Sequence, residues 1–78
     1  MNLKQMEHLL ALASTGSFSR AARQCFLTQP ALSRSVQVLE EELGARLFDR
    51  LGRRVAPTPL GEEVLRRARR IVDEASEL

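Results

Sequence analysis

The spacing of apolar side chains in the first half of the chain predicts three helices. Leucine, methionine and alanine recur every three or four residues through positions 3–13, and the same spacing returns at Leu32, Val36 and Leu39, as on a helix that buries one face. Between these segments there is room for one short helix, from residue 18 to residue 24 or 25. Caps and helix-ending glycines are expected at Asn2, Gly16, Ser17, Thr28 and Gly44, with Pro30 in the first turn of the third helix.

The segment after the third helix loses the helical spacing and predicts a β-hairpin. Weak alternation in residues 47–50 indicates one strand, residues 51–54 supply a turn, and residues 55–57 form a short return strand that ends at a proline. Thr58 and Pro59 then restart a helix as its N-cap and first residue. This element order predicts a mainly α fold, a winged helix-turn-helix with a three-helix core and a small hairpin wing, followed by a long C-terminal helix.

The apolar positions of these elements predict one small core. A chain of 78 residues buries roughly 60–65% of its unfolded surface, which suffices for a single domain. Phe26, in the turn before the third helix, either covers this core or lies exposed, and the sequence leaves both open. Cys25 beside it is expected to act as a small hydrophobe. The predicted core residues are Leu9, Leu10, Phe18, Leu27, Leu32, Val36, Leu39, Leu43, Leu47 and Phe48.

Charge is segregated along the chain, although the net charge is only +2. Residues 1–35 and 46–58 each carry +3 (four cations and one acid), residues 36–45 carry −3, and residues 59–78 carry −1. Eleven of the twelve cations are arginine, whose forked guanidinium suits phosphates, carboxylates and guanine edges. Two basic segments predict a polyanionic partner contacted at two places. An ordinary solvated surface with local ion pairs explains the charges equally well.

Several classes of protein are excluded by what the sequence contains. One cysteine and one histidine, Cys25 and His8, cannot form a disulfide framework or a zinc site. No apolar run approaches the roughly 18 residues of a membrane span, so we expect a soluble, cytoplasmic protein without a membrane partner. Cys25 has no histidine in the same short segment to activate it, no carboxylate pair lies in an evident pocket, and no glycine-rich phosphate loop occurs. These observations argue against an enzyme and against a cofactor bound by this chain.

The third helix presents a polar face beside its buried stripe. Gln29 and Arg34 lie near its N-terminus, where their side chains can pair with adenine and guanine edges respectively. Ser33 is small enough to allow close approach. The alternatives are an ordinary solvated face and a module that binds another protein, although the latter normally carries aromatic or aliphatic anchors. The polar face consists of Gln29, Pro30, Ser33, Arg34 and Gln37.

Six short motifs together resemble the N-terminal domain of a LysR-type transcriptional regulator. They are GSFSRAA at 16–22, TQPALSR at 28–34, LE at 39–40, LG at 43–44, LFDR at 47–50 and TPLG at 58–61. The resemblance implies a bacterial, nucleoid-associated protein that binds an interrupted, AT-rich operator dyad in double-stranded DNA as a homodimer, or as a tetramer at full length. It also implies that a C-terminal domain absent from this chain binds a small-molecule effector.

The resemblance also assigns roles to individual residues. The expected base contacts are Gln29, Pro30, Ser33, Arg34 and, one turn further, Gln37. The expected backbone or wing contacts are Thr28, Arg20, Arg23, Arg53 and Arg54. A solvated turn remains the alternative for the two wing arginines, and Arg50 is expected to pair with a nearby glutamate instead.

The last helix carries an apolar seam at coiled-coil spacing. A helix of roughly 20 residues is about 30 Å long, more than one small domain can cover, so its far half is expected to seek a partner helix. A frayed tail is the alternative. We therefore divide the chain into a winged helix-turn-helix at 1–58 and a linker or dimerisation helix at 59–78. The seam consists of Leu60, Val64, Ala68, Ile71, Ala75 and Leu78.

Overall fold

A computed structural model describes all residues from Met1 to Leu78 and has the predicted order of elements. Three helices are followed by a two-stranded antiparallel hairpin and a fourth helix, none of which has both the length and the hydropathy to cross a membrane. The elements are α1 at Leu3–Thr15, α2 at Phe18–Gln24, α3 at Gln29–Leu43, β1 at Phe48–Leu51, β2 at Arg54–Pro57 and α4 at Pro59–Ser76.

The predicted capping residues begin and end the helices. The side chain of Asn2 accepts a hydrogen bond from the backbone N–H of Gln5 at 2.8 Å, and the Gln5 side chain accepts one from the Asn2 N–H at 2.8 Å. Gly16 and Gly44 end α1 and α3 in the left-handed conformation, with φ of 66° and 70°. Because each of these contacts is local, short sequence patterns are enough to predict them.

The hairpin is one residue longer at its tip than the sequence indicated. Leu51 pairs with Arg54, so both belong to strands and the turn consists of Gly52 and Arg53 alone. Gly52 has a φ of 64°, as two-residue hairpin turns require. Arg54 therefore lies on β2, whereas the sequence placed it in the turn.

Small residues on α2 allow three helices to pack around one core. Ala21 and Ala22 are buried and let α2 approach both α1 and α3 closely. Three predicted core residues, Leu10, Phe18 and Leu27, are only half-buried, and of these Phe18 and Leu27 pack against the core. The largest fully buried side chains are Leu9, Leu12, Leu32, Leu39 and Leu47.

Two apolar side chains lie outside the core. Leu43 was predicted to be buried but is 44% exposed, because it is the last residue of α3 and extends beyond the packed stripe. Phe26 is 95% exposed and has a φ of 59°, so of the two alternatives the exposed one is correct. The side chain of Leu27, and not that of Phe26, packs against the core from this turn.

The N-terminal turn of α4 packs closely on the start of the hairpin. A Cβ atom added to Gly61 would overlap the carbonyl oxygen of Leu47, so this position has no room for a side chain. Thr58, the N-cap of α4, accepts a hydrogen bond from the Gly61 N–H at 2.9 Å. Further along, α4 packs against α1. The division into domains at residue 58 stays a prediction.

Candidate nucleic-acid interface

The predicted base-reading residues share one accessible face of α3. Gln29, Pro30, Arg34 and Gln37 are exposed and Ser33 is half-buried. The opposite stripe of the same helix is buried in the core. This face is therefore held rigidly by the core while its side chains stay available to a partner.

Arg34 has one weak intramolecular contact. Its Nη1 lies 3.5 Å from Oε1 of Gln37, at the long limit of a hydrogen bond. Because a hydrogen bond this long is weak, little binding energy is lost when the guanidinium moves to another acceptor. The fork of Arg34 is thus free to bind an external pair of acceptors, such as O6 and N7 of guanine.

Thr28 fixes the start of α3. Its hydroxyl oxygen accepts a hydrogen bond from the Ala31 N–H at 3.2 Å, and its carbonyl accepts one from the Leu32 N–H at 3.1 Å. The position of this residue at the positive end of the helix dipole favours a phosphate nearby. The primary role visible in the structure is capping, as the sequence suggested.

The arginines of the interface differ from the other cations in having no ion pair. Lys4 lies near Glu7, Arg46 near Asp49, Arg66 and Arg67 near Glu63, and Arg69 near Asp73. The only unpaired cation outside the interface region is Arg70. The unpaired arginines of α2, α3 and the hairpin are Arg20, Arg23, Arg34, Arg50, Arg53 and Arg54, and all six are exposed.

Arg50 contacts an aromatic ring and not a glutamate, so the expected ion pair is wrong. Its guanidinium carbon lies 4.6 Å from the centroid of the Phe18 ring, a cation–π geometry. The glutamate within reach of this region, Glu40, is engaged by backbone N–H groups. Stacking orients Arg50 and leaves its hydrogen-bond donors free for an anion.

A shallow cleft joins the exposed face of α3 to the base of the hairpin. Arg50 gives it an unpaired positive charge, Arg46 lies in it paired with Asp49, and Ser33 and Gln37 extend it along the helix. A nucleic-acid backbone that passes from α3 towards the hairpin would cross this cleft. Its lining residues are Phe18, Ser33, Val36, Gln37, Glu40, Arg46 and Arg50.

Sequence reasoning missed the functional placement of Arg46 and Glu40. Arg46 was counted only as part of a basic segment, although its side chain lines the cleft and donates to the Phe48 carbonyl at 3.3 Å. Glu40 was placed in an acidic run and in the LE motif at 39–40 but was given no contact, although it bonds to residues seven and eight positions away. The periodicity of a helix or a strand cannot predict a hydrogen bond between residues of different elements.

The contacts and partial burial of His8 and Cys25 indicate packing roles for both side chains. Nδ1 of His8 lies 2.8 Å from the Ser35 hydroxyl, and burial, assisted by the Lys4 ammonium, lowers the pKa of His8. Burial raises the pKa of the Cys25 thiol, which disfavours the reactive thiolate. No group of three or more His, Cys, Asp and Glu side chains is placed to hold a metal ion.

The seam of α4 divides into a covered part and an exposed part. Ala68 is only 2% exposed because it packs inside the chain's own fold, so it is not available to a partner helix. Val64 and Ala75 are half-buried. Leu60, Ile71 and Leu78 are exposed and form an unpartnered apolar strip. Dimerisation through the five residues other than Ala68 stays a prediction.

Comparisons of the sequence and of the structure with known proteins point to the same family. The chain matches the family described as bacterial regulatory helix-turn-helix proteins, lysR family, over residues 3–62. It is 53% identical over 72 residues to an SDS degradation transcriptional activation protein of Pseudomonas sp. (strain ATCC 19151). That alignment covers 92% of this chain but 24% of the relative, so the chain spans about a quarter of that protein's length.

Solved structures with the same fold include two protein–DNA complexes. The protein in the crystal structure of the CbnR DBD–DNA complex has a TM-score of 0.91 and 34% sequence identity, covering 99% of this chain and 88% of that one. The protein in the crystal structure of the BenM DBD/benA site 1 DNA complex has a TM-score of 0.93 and 35% identity, covering 99% and 86%.

Proposed function

The chain belongs to the LysR family of bacterial regulatory helix-turn-helix proteins, and we propose that it reads operator DNA with α3 in the major groove. It is the winged helix-turn-helix DNA-binding domain of a LysR-type transcriptional regulator. The wing, Phe48–Pro57, lies along the backbone or enters the adjacent minor groove. The observation that carries this proposal is the set of unpaired arginines on α2, α3 and the hairpin. Binding DNA through them breaks no ion pair.

Base recognition is assigned to the exposed face of α3. Arg34 binds a guanine edge through two parallel hydrogen bonds, and Gln29 binds an adenine edge in the same way. Pro30 offers an apolar surface to a thymine methyl group, and half-buried Ser33 allows the helix to approach. Gln37 lies one turn further along and moves away from Arg34 when the guanidinium binds DNA.

Backbone contacts are assigned to the ends of neighbouring elements. Arg20 and Arg23 on α2, with Thr28 at the start of α3, bind phosphates on one side of the groove. Arg53 and Arg54 bind on the other side, through the wing. Backbone contacts of this kind fix the register of the protein on DNA without reading sequence.

We further propose that the chain acts as a homodimer joined through the exposed strip of α4. Hydrophobic side chains such as Ile71, which is 47% exposed, are covered when two α4 helices pack together. A two-fold dimer carries two copies of α3, as is needed to read two half-sites on successive major grooves roughly 34 Å apart. A dimer therefore suits an interrupted, AT-rich dyad.

The wider role of the protein is part of the same proposal. The Pseudomonas relative is described as a transcriptional activation protein, and we assign this chain a non-catalytic role in transcription regulation in the bacterial cytoplasm. Response to a small-molecule effector and assembly into tetramers are proposed for the full-length regulator, outside these 78 residues.

The proposal is tested by fluorescence anisotropy with two labelled duplexes. One carries an interrupted AT-rich dyad enriched by selection from a randomised pool, and the other is its scrambled counterpart. We expect tighter binding to the dyad at every salt concentration, with log K falling by about 0.9 per phosphate contact for each unit of log salt. Equal affinity for both duplexes would refute sequence-specific recognition, and no binding at low salt would refute DNA binding altogether.

A further inference from the structure

The carboxylate of Glu40 links α3 to the base of the wing. Its Oε2 accepts hydrogen bonds from the backbone N–H of Leu47 at 2.8 Å and of Phe48 at 3.3 Å. These are the only hydrogen bonds between α3 and residues 46–57. A charged acceptor strengthens both of them relative to a neutral one.

Residues 46–48, which we name the wing base, are held from the other side by α4. The Thr58 hydroxyl donates to the Arg46 carbonyl at 2.8 Å, and the Thr58 N–H donates to the Leu47 carbonyl at 2.9 Å. Gly61 packs against the Leu47 backbone without space for a Cβ. The wing base is thus clamped between Glu40 and the start of α4.

We propose that Glu40 is a positioning residue for DNA recognition, because it fixes the wing relative to α3. This inference rests on the proposed function. Arg34 and Arg53 contact DNA from two separate elements, so both can bind together only if the angle between these elements is fixed. Glu40 supplies the only hydrogen bonds that join α3 itself to the wing. One other bond, from the Val55 N–H to the Gly16 carbonyl at 3.0 Å, ties β2 to the end of α1 and not to the recognition helix.

The length of the wing makes the angle important. From Phe48, the first residue of β1, to Gly52, the first residue of the turn, the chain spans four residue steps, or about 13 Å. A rotation of 10° at the wing base would therefore move the tip by about 2 Å, more than the distance range of a hydrogen bond. Loss of the Glu40 contacts is therefore expected to lower the contribution of Arg53 to affinity, although the Arg53 side chain itself is unchanged.

The test is a double-mutant cycle measured by anisotropy on the selected duplex. We expect Arg53→Ala to weaken binding about tenfold in the wild type but less than about twofold in Glu40→Ala, since residues in one network are non-additive. Arg34→Ala should weaken binding equally in both backgrounds. Glu40→Gln keeps an acceptor oxygen and should restore most of the Arg53 effect. A purely structural role would lower thermal stability and leave the Arg53 effect at tenfold in both backgrounds, which would overturn the proposal.

Two further measurements complete the test: a control variant that removes a different carboxylate, and hydrogen exchange in the unmodified protein. Glu41→Ala removes an exposed carboxylate from the same helix and should leave the full Arg53 effect. Hydrogen exchange in the wild type should show the amides of Leu47 and Phe48 protected like those of the α3 interior. Exchange as fast as at Gly52 would overturn the inference even if Glu40→Ala did not fold. If the wild type does not discriminate between duplexes, the proposed function fails, while the exchange result still reports on Glu40.

Discussion

Replacing Arg34 with lysine separates the geometry of its guanidinium from its charge. The side chain is exposed, and its only hydrogen bond in the structure is the 3.5 Å contact with Gln37. We therefore expect Arg34→Lys and Arg34→Ala to change the free energy of unfolding by less than about 0.5 kcal/mol, as for other surface substitutions. Any larger effect on DNA binding then belongs to the interface.

The expected loss follows from the fork of the guanidinium. A bidentate contact to guanine contributes about 1–3 kcal/mol of discrimination, so both variants should lose roughly 5- to 150-fold in affinity for the selected dyad. On the scrambled duplex, Arg34→Lys should bind like the wild type because lysine keeps the charge. Arg34→Ala should bind this duplex slightly more weakly.

Anisotropy titrations of both variants on both duplexes, at one salt concentration, decide the question. Arg70→Ala is the matched control, since Arg70 is an exposed and unpaired arginine on α4, away from the proposed interface. It should leave the ratio of the two affinities unchanged. Equal losses on the selected and scrambled duplexes for Arg34→Lys would refute the assignment of Arg34 as a base reader.

Three further changes test the packing, the histidine and the apolar strip. Gly61→Ala should lower the free energy of unfolding by at least about 2 kcal/mol in urea denaturation, because the added Cβ overlaps the Leu47 carbonyl; an unchanged midpoint would contradict this packing. Because burial lowers the pKa of His8 below 6.5, protonation favours the unfolded state, so stability should fall as the pH decreases below about 6.5 and fall less in His8→Gln. Equal pH slopes in the two proteins would exclude this linkage. Ile71→Glu should weaken self-association at least about tenfold in sedimentation velocity without unfolding the monomer. The control Arg69→Glu, on the opposite face of α4, should leave self-association unchanged. Equal effects of the two substitutions would argue against the strip as a dimer interface.

Local signals in the sequence predicted the elements, and contacts between elements explain the differences. The caps at Asn2, Thr28 and Thr58 are satisfied by N–H groups three residues away, so a short motif defines each. Leu43 has the spacing of a core residue, but its burial depends on whether another element reaches the end of α3. None does, and periodicity alone cannot report this.

The residues of the candidate interface could be predicted from the sequence, but the contacts that their side chains make could not. The exposed face of α3 follows from the helical wheel, since its buried stripe is clear. The partners of Arg50 and Glu40 were not predictable, because they depend on how the hairpin meets α2 and α3. Arg50 has a ring where a carboxylate was expected, and Glu40, for which no partner was predicted, binds backbone N–H groups.

The distribution of ion pairs explains how a chain with a net charge of only +2 can present a cationic surface. Three of the four arginines on α4, Arg66, Arg67 and Arg69, are paired with Glu63 or Asp73 on the same helix, so this helix adds little free positive charge to the surface. The carboxylate that lines the cleft together with Arg50, that of Glu40, is engaged by the Leu47 and Phe48 N–H groups. A free carboxylate there would pair with Arg50 or repel phosphate, and either effect would weaken binding to DNA. One hydrogen-bonded glutamate therefore fixes the wing and leaves Arg50 free of an ion pair.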